Sequence, residues 1–129
     1  MFWTNWIGFG GVLGALGVAL GAFGSHGLKG RITPEDLAIF ETAVRYQMLH
    51  AFALLAVGFF AMRIDSGMVR ASGFLFLIGT IVFSGSLYTL IFSGQRWWGA
   101  VAPIGGASLI AGWVVLAIAA FRAASIGAS

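Results

Sequence analysis

The chain has 129 residues, of which 60% are hydrophobic and only 9% are charged, and its formal net charge is +3. A soluble domain usually has about a quarter charged residues, so this composition excludes one. The absence of cysteine excludes disulfides, thiolate metal sites and a cysteine nucleophile. The basic residues are scattered, which does not support nucleic-acid binding. The composition therefore indicates an integral membrane protein with a single domain over residues 1–129.

Four stretches of the chain are long and apolar enough to cross a bilayer, which takes about 20 residues for roughly 30 Å of hydrocarbon. They cover about 6–24, 38–62, 71–92 and 97–121. None shows strand alternation and all are too long for barrel strands, so we expect helices. Short connections force neighbouring helices to run antiparallel. The sequence predicts an all-α membrane protein, an up-down four-helix transmembrane bundle with both termini on one side.

The first span carries a regular series of glycines, spaced four, three, four and three residues apart: Gly10, Gly14, Gly17, Gly21 and Gly24. At 3.6 residues per turn they form one stripe. The fourth span repeats the device with Ala102, Gly105, Ser108 and Gly112. Small residues allow close helix packing in a bilayer, and we interpret both stripes as packing surfaces. The alternative is a substrate groove lined by bare backbone.

The second helix has a clear predicted start, with Thr33 as N-cap, Pro34 in the first turn, and the acidic Glu35 and Asp36 at the positive end of the dipole. A helix from Pro34 to residue 62 would be roughly 43 Å long. This exceeds the hydrocarbon thickness, so its first two turns should lie in the interface. Pro103 is expected either to open the fourth helix or to kink it.

Tryptophans and arginines flank the spans. An aromatic belt is the expected position of Trp3, Trp6, Trp97 and Trp98. Arg63, Arg70 and Arg122 fall on the side of the termini, against Lys29, Arg31 and Arg96 on the other side. These counts are equal, but two arginines bracket the very short 63–70 loop, which favours cytoplasmic termini.

Polar residues are concentrated at the start of the second span, in the segment "FETAVRYQMLHA". Glu41 and Arg45 are four residues apart with the acid first, the better order for an intrahelical pair, and we expect this pair to be buried. An unpaired charge at a helix centre costs about 2.5–3.5 kcal/mol. Tyr46 and His50 project roughly 100° or more away. Such a segment should be enclosed by other helices or by water.

His50 lies near the middle of the second span and has three interpretations. It hydrogen-bonds a neighbouring helix, it serves a proton or ligand site, or it binds a metal together with His26 and a carboxylate. No ligand spacing supports the metal site, so neither a metal nor a cofactor is predicted.

Four segments carry a resemblance to a known family: "GAFGSHGL", "FETAVRYQMLHA", "FSGSLY" and "APIGGASLIAGW". In order and over nearly the whole chain, they resemble domain of unknown function 423. This family includes small bacterial inner-membrane proteins and the eukaryotic transmembrane protein 256. The resemblance implies a four-helix multi-pass protein of the inner membrane and supplies no mechanism. The motif residues carry over as pattern only: Ser25, His26, Glu41, Arg45, Tyr46, Gln47, His50, Ser84, Ser86, Tyr88 and Pro103.

The motif residues, apart from Ser25 and Pro103, form a predicted polar cluster in one half of the bundle. Three functions are compatible with it. The first is a structural or accessory membrane protein whose glycine stripes contact further copies or a larger membrane complex. The second is a small transporter, channel or ligand-binding protein, which would have to oligomerise because four helices enclose little volume. The third is an enzyme using Ser84 or Ser86 with His50, although no nucleophile-elbow motif is present. Apart from such partners, the lipid bilayer is the expected environment.

Overall fold

The computed structural model describes residues 2–127 and contains four long helices connected by short segments. They are α1 (Phe2–Phe23), α2 (Pro34–Arg63), α3 (Gly67–Ser93) and α4 (Ala102–Gly127). All four are long and apolar enough to cross a membrane. The predicted up-down four-helix fold is confirmed. Each helix is longer than, or displaced from, its predicted span.

Local sequence signals define the helix ends. The Thr33 hydroxyl accepts a hydrogen bond from the backbone N–H of Asp36 at 3.1 Å, as predicted for an N-cap. Ser66 caps α3 in the same way through Val69 N–H. α3 ends at Ser93 and is capped by Gly94, whose φ of 72° lies in the left-handed region that glycine adopts without strain.

Two connections contain short helical turns that the sequence analysis did not separate from the spans. α1 continues into a π-helical turn, Gly24–Leu28, and a 3₁₀ turn, Arg96–Ala100, precedes α4. Residues 97–100 of the predicted span therefore lie in this turn, before α4. Pro103 is the second residue of α4, where its missing N–H costs no hydrogen bond. It opens the helix and does not kink it.

Consecutive helices form the main packing interfaces, α1 with α2, α2 with α3, and α3 with α4. The glycine stripe of α1 faces α2: a methyl group on Gly10 would lie 2.8 Å from the carbonyl oxygen of Ala51, and one on Gly24 would lie 2.9 Å from the ring of Phe40. In α4, Gly105 lies against the backbone of Phe83 and Gly112 against the ring of Phe76. Because these positions have no side chain, α1 lies close to α2 and α4 lies close to α3.

Trp6 belongs to the core and not to an aromatic belt. Its side chain is 1% exposed, and its ring fills the space over Gly73, where a methyl group would lie 2.7 Å away. The ring also meets Phe74 edge-on at 4.9 Å. Trp6 stands four residues before Gly10 on the same face of α1, so the close helix contact covers it. Trp97 is exposed, as a belt residue should be.

Candidate functional site

The carboxamide of Gln47 joins three helices. It is 4% exposed, and its Nε2 donates to the carbonyl oxygen of Leu13 in α1 at 2.9 Å. Its Oε1 accepts a hydrogen bond from the Tyr88 hydroxyl in α3 at 2.7 Å. A buried amide needs partners for both of its ends, and α1 and α3 supply one each.

Two serine hydroxyls connect further helix pairs. Ser84 in α3 donates to the carbonyl oxygen of Ala43 in α2 at 2.7 Å, and Ser108 in α4 donates to that of Leu75 in α3 at 2.9 Å. Hydroxyls and amides commonly hydrogen-bond across helices in membranes. The sequence analysis placed Ser108 only in a packing stripe. The sequence could not identify the carbonyl oxygens of Ala43 and Leu75 as acceptors, because every residue has a backbone carbonyl group.

His50 is hydrogen-bonded through both ring nitrogens. Nδ1 lies 2.7 Å from the carbonyl oxygen of Tyr46, one turn earlier in α2. A carbonyl oxygen only accepts, so Nδ1 carries the proton, and Nε2 is free to accept from the indole N–H of Trp113 in α4 at 3.1 Å. The imidazole in this arrangement is neutral. Trp113, which the sequence analysis missed, is the residue that fixes its tautomer.

These side chains make separate hydrogen bonds that together join all four helices; we call Gln47, His50, Ser84, Tyr88, Ser108 and Trp113 the polar network. It includes four of the nine residues of the predicted polar cluster. Ser86 is buried but donates to the Phe83 carbonyl oxygen within its own helix. Tyr46 is 38% exposed; its carbonyl oxygen accepts from His50, but its side chain makes only ring contacts, to His50 and Phe83. His26 is exposed in the turn after α1 and does not meet the network.

The expectation that Glu41 and Arg45 form a buried pair is wrong. Both side chains are exposed, and no ion pair within 4.0 Å joins them in the described part of the chain. The reason is rotational: α2 turns Ala43, Gln47 and His50 toward its neighbours, which leaves positions 41 and 45 on the outward face. Helical spacing showed that the two share a face but not that this face is uncovered.

The ion pairs within residues 2–127 lie at the two ends of the bundle. Asp36 pairs with Arg96 at 2.9 Å, which ties the start of α2 to the turn before α4. Asp65 pairs with Arg70 at 2.9 Å beside the α2–α3 loop. The hydrogen bond from Arg70 holds the pKa of the Asp65 carboxyl below its ordinary value. Within the same residues, no three His, Asp or Glu side chains lie close enough together to hold a metal ion.

Two open grooves lie on the outside of the bundle. The α1–α2 groove, of about 310 Å³, is lined by Gly21, Gly24 and Ser25 on one side and by Phe40, Glu41, Val44 and Arg45 on the other. A larger groove of about 710 Å³ lies at the opposite end, between the start of α3 and the end of α4. Neither is lined by a residue of the polar network.

Comparisons with known proteins agree with this architecture. The model of the family described as "Protein of unknown function (DUF423)" matches residues 20–106. A UPF0382 membrane protein of Staphylococcus haemolyticus is 42% identical over 115 residues, which cover 86% of this chain and 93% of the relative. The UPF0382 membrane protein YwdK of Bacillus subtilis is 40% identical over 116 residues, 86% of this chain and 94% of its own length.

A more distant relative comes from a third bacterium. The UPF0382 inner membrane protein YgdD of Escherichia coli is 36% identical over 121 residues, covering 94% of this chain and 92% of YgdD. No solved structure matches the chain. Together with the four apolar helices, the matched segment and these relatives show that the chain is a multi-pass membrane protein belonging to the DUF423 family.

Proposed function

We propose that the protein is a non-catalytic structural or accessory protein of the membrane, in which the polar network holds the four helices in one register. The observation that carries this proposal is that every side chain of the network is hydrogen-bonded within the protein. Within residues 2–127, Trp6 Nε1 is the single buried side-chain donor or acceptor without a hydrogen-bond partner. Each network side chain has its partner inside the bundle, and neither groove reaches it.

The energy of the network suits a structural role. Five of its hydrogen bonds join different helices. Side-chain hydrogen bonds in membrane proteins contribute about 0.6 kcal/mol each on average, so together they supply about 3 kcal/mol. This is a useful fraction of the stability of a small domain. Unlike apolar packing, such bonds are lost if one helix slides past another, and they therefore specify register.

The contacts of the two serines and His50 argue against catalysis. Ser84 and Ser86 both donate to backbone carbonyls, and neither bonds the imidazole. His50 in turn has both nitrogens engaged by Tyr46 and Trp113. A nucleophilic serine requires a base within hydrogen-bond reach. The same engagement of His50 argues against a proton relay, which needs a free nitrogen.

For location, we propose the inner membrane, with both termini in the cytoplasm. The name of the Escherichia coli relative supports the membrane assignment. The arginines Arg63 and Arg70 on either side of the short α2–α3 loop support the orientation, since basic residues in short loops are retained in the cytoplasm.

A double-mutant cycle at Gln47 and Tyr88 tests the structural role. Gln47→Leu and Tyr88→Phe each leave a polar partner unsatisfied, so we expect each to lower the free energy of unfolding by about 1 kcal/mol. In the double variant the losses should be less than additive, because the second change removes a group that is already unpaired. The measurement is thermal unfolding in detergent.

A flux assay tests the alternative of transport. We expect vesicles containing the purified protein to show no proton flux beyond that of empty vesicles. Proton flux that His50→Phe abolishes, in a variant that remains folded and abundant, would contradict the structural role. His50→Phe should otherwise affect the cell only as far as it lowers the amount of folded protein.

A further inference from the structure

The α1–α2 groove holds two opposite charges that lack a partner within the described chain. The carboxylate of Glu41 and the guanidinium of Arg45 line the same groove, one helical turn apart, and both are exposed. Gly21 and Gly24 form its other wall, where they pack against Val44 and Phe40. Its formal charges cancel, but they are separated along the helix by about 6 Å.

The length of the uncharged part of α2 indicates where Glu41 and Arg45 lie relative to the hydrocarbon core of the membrane. Residues 46–62 contain no Asp, Glu, Lys or Arg and span about 26 Å as a helix. The hydrocarbon core is about 30 Å thick. With Arg63 at the far boundary, Arg45 lies at the near boundary and Glu41 lies one turn further toward the headgroups. Side chains of a helix tilt toward its N-terminus, so both groups lean toward the headgroup layer.

We propose that the α1–α2 groove binds the headgroup of a zwitterionic aminophospholipid, with the phosphate at Arg45 and the ammonium at Glu41. In such a lipid the phosphate lies nearer the hydrocarbon and the ammonium lies further out. Arg45 and Glu41 occur at the same relative depths. A guanidinium donates well to phosphate oxygens, and a carboxylate accepts from an ammonium N–H.

The two charges also predict which headgroups bind less well. A phosphatidylglycerol headgroup supplies the phosphate but no cation for Glu41. A phosphatidylcholine headgroup supplies a cation, but its quaternary nitrogen has no N–H to donate. A second copy of the chain would offer complementary charges, but the concave shape of the groove fits a small headgroup better than a flat helix face.

Competition among three lipids tests this site. The purified protein in detergent is incubated with phosphatidylethanolamine, phosphatidylcholine or phosphatidylglycerol, and the retained lipid is measured by native mass spectrometry. We expect phosphatidylethanolamine to bind roughly two- to fivefold more tightly than either of the others, which is the size of one solvent-exposed ion pair. Glu41→Gln should abolish its preference over phosphatidylcholine. Arg45→Gln should weaken the retention of all three lipids.

The control is Arg31→Gln, an exposed cation on the same membrane side but outside the groove, which should leave the ranking unchanged. Thermal unfolding verifies that each variant is folded. Equal retention of phosphatidylethanolamine and phosphatidylcholine by the unmodified protein would overturn the proposal, as would an unchanged preference in Glu41→Gln. A dimer that is lost in Glu41→Arg and restored by adding Arg45→Glu would overturn it in favour of a second copy.

The groove and the polar network share no residue. The groove proposal is therefore independent of the structural role, and Gln47→Leu and Tyr88→Phe test that role without changing a residue that lines the groove.

Discussion

At the scale of single residues, the chemistry of His50 is fixed by its two neighbours. The Tyr46 carbonyl oxygen requires a proton on Nδ1, and the Trp113 indole requires a lone pair on Nε2. A second proton on the ring would lie on Nε2 and would face the indole N–H of Trp113, which is a donor and cannot accept a hydrogen bond. An imidazole within a membrane span is therefore compatible with a purely structural role here.

Because Glu41 and Arg45 lie on the outward face of α2, we expect their substitutions to affect stability much less than they would in a buried pair. Removing one partner of a buried pair costs about 3–5 kcal/mol, whereas exposed charges contribute at most about 1 kcal/mol. We expect Arg45→Met and Glu41→Gln each to change the free energy of unfolding by less than about 1 kcal/mol in detergent. Their effects should add in the double variant. A large loss in each single variant with recovery in the double would show that the two charges pair after all.

The ion pair between Asp65 and Arg70 should make the stability of the protein depend slightly on pH. Arg70 lowers the pKa of Asp65 in the folded protein, so the pair stabilises the fold above the ordinary carboxyl pKa of about 4. This contribution disappears as the pH falls through the lowered value. We expect Asp65→Asn to lower the melting temperature slightly at pH 7 and to have no effect near pH 2. An equal effect at both pH values would exclude the ion pair as the cause.

At the scale of the helices, backbone contacts decide which glycines are essential. In α1 the obstacle beside Gly10 is a backbone carbonyl, whereas beside Gly17 it is the flexible side chain of Met48. Gly11 has nothing within 4 Å. Tolerance to substitution should therefore vary within the stripe and should not depend on stripe membership alone.

The contact of α4 with α3 offers the clearest test of how backbone contacts limit substitution of a glycine. A methyl group on Gly105 would lie 2.8 Å from the Cα of Phe83, which cannot move without moving the helix, whereas one on Gly106 would meet only a ring atom at 3.8 Å. We expect Gly105→Ala to destabilise the protein by about 1–3 kcal/mol, the usual cost of overpacking. Gly106→Ala, the matched control, should be nearly neutral. Equal melting temperatures for the two variants would contradict this packing of α3 on α4.

At the scale of the whole molecule, the absence of cysteine in the sequence makes the membrane topology directly testable. Single cysteines at the exposed positions Arg31 and Ile64, and one appended after residue 129, report three positions. With cytoplasmic termini, an impermeant maleimide added to spheroplasts should label Arg31→Cys alone. Labelling of the other two sites instead would reverse the orientation. Opposite results for Ile64→Cys and the C-terminus would contradict the four-span fold.

The sequence by itself determined the helices, the N-cap of α2 and the antiparallel order of the helices. These features depend on local chemistry: the length of apolar segments, the hydroxyl of Thr33, and connections too short to cross the bundle. The positions of the two glycine stripes were also evident, since glycines at helical spacing must share a face.

Only the tertiary structure decided which faces are covered and which polar groups meet. Periodicity places Glu41 with Arg45 on one face of α2 and Gln47 with His50 on other parts of it, but each face becomes buried only when another helix packs against it. The partners of Gln47 and Ser84 include the carbonyls of Leu13 and Ala43. A backbone acceptor is chemically the same at every residue, so its selection depends on the packing of the helices and leaves no trace in the sequence.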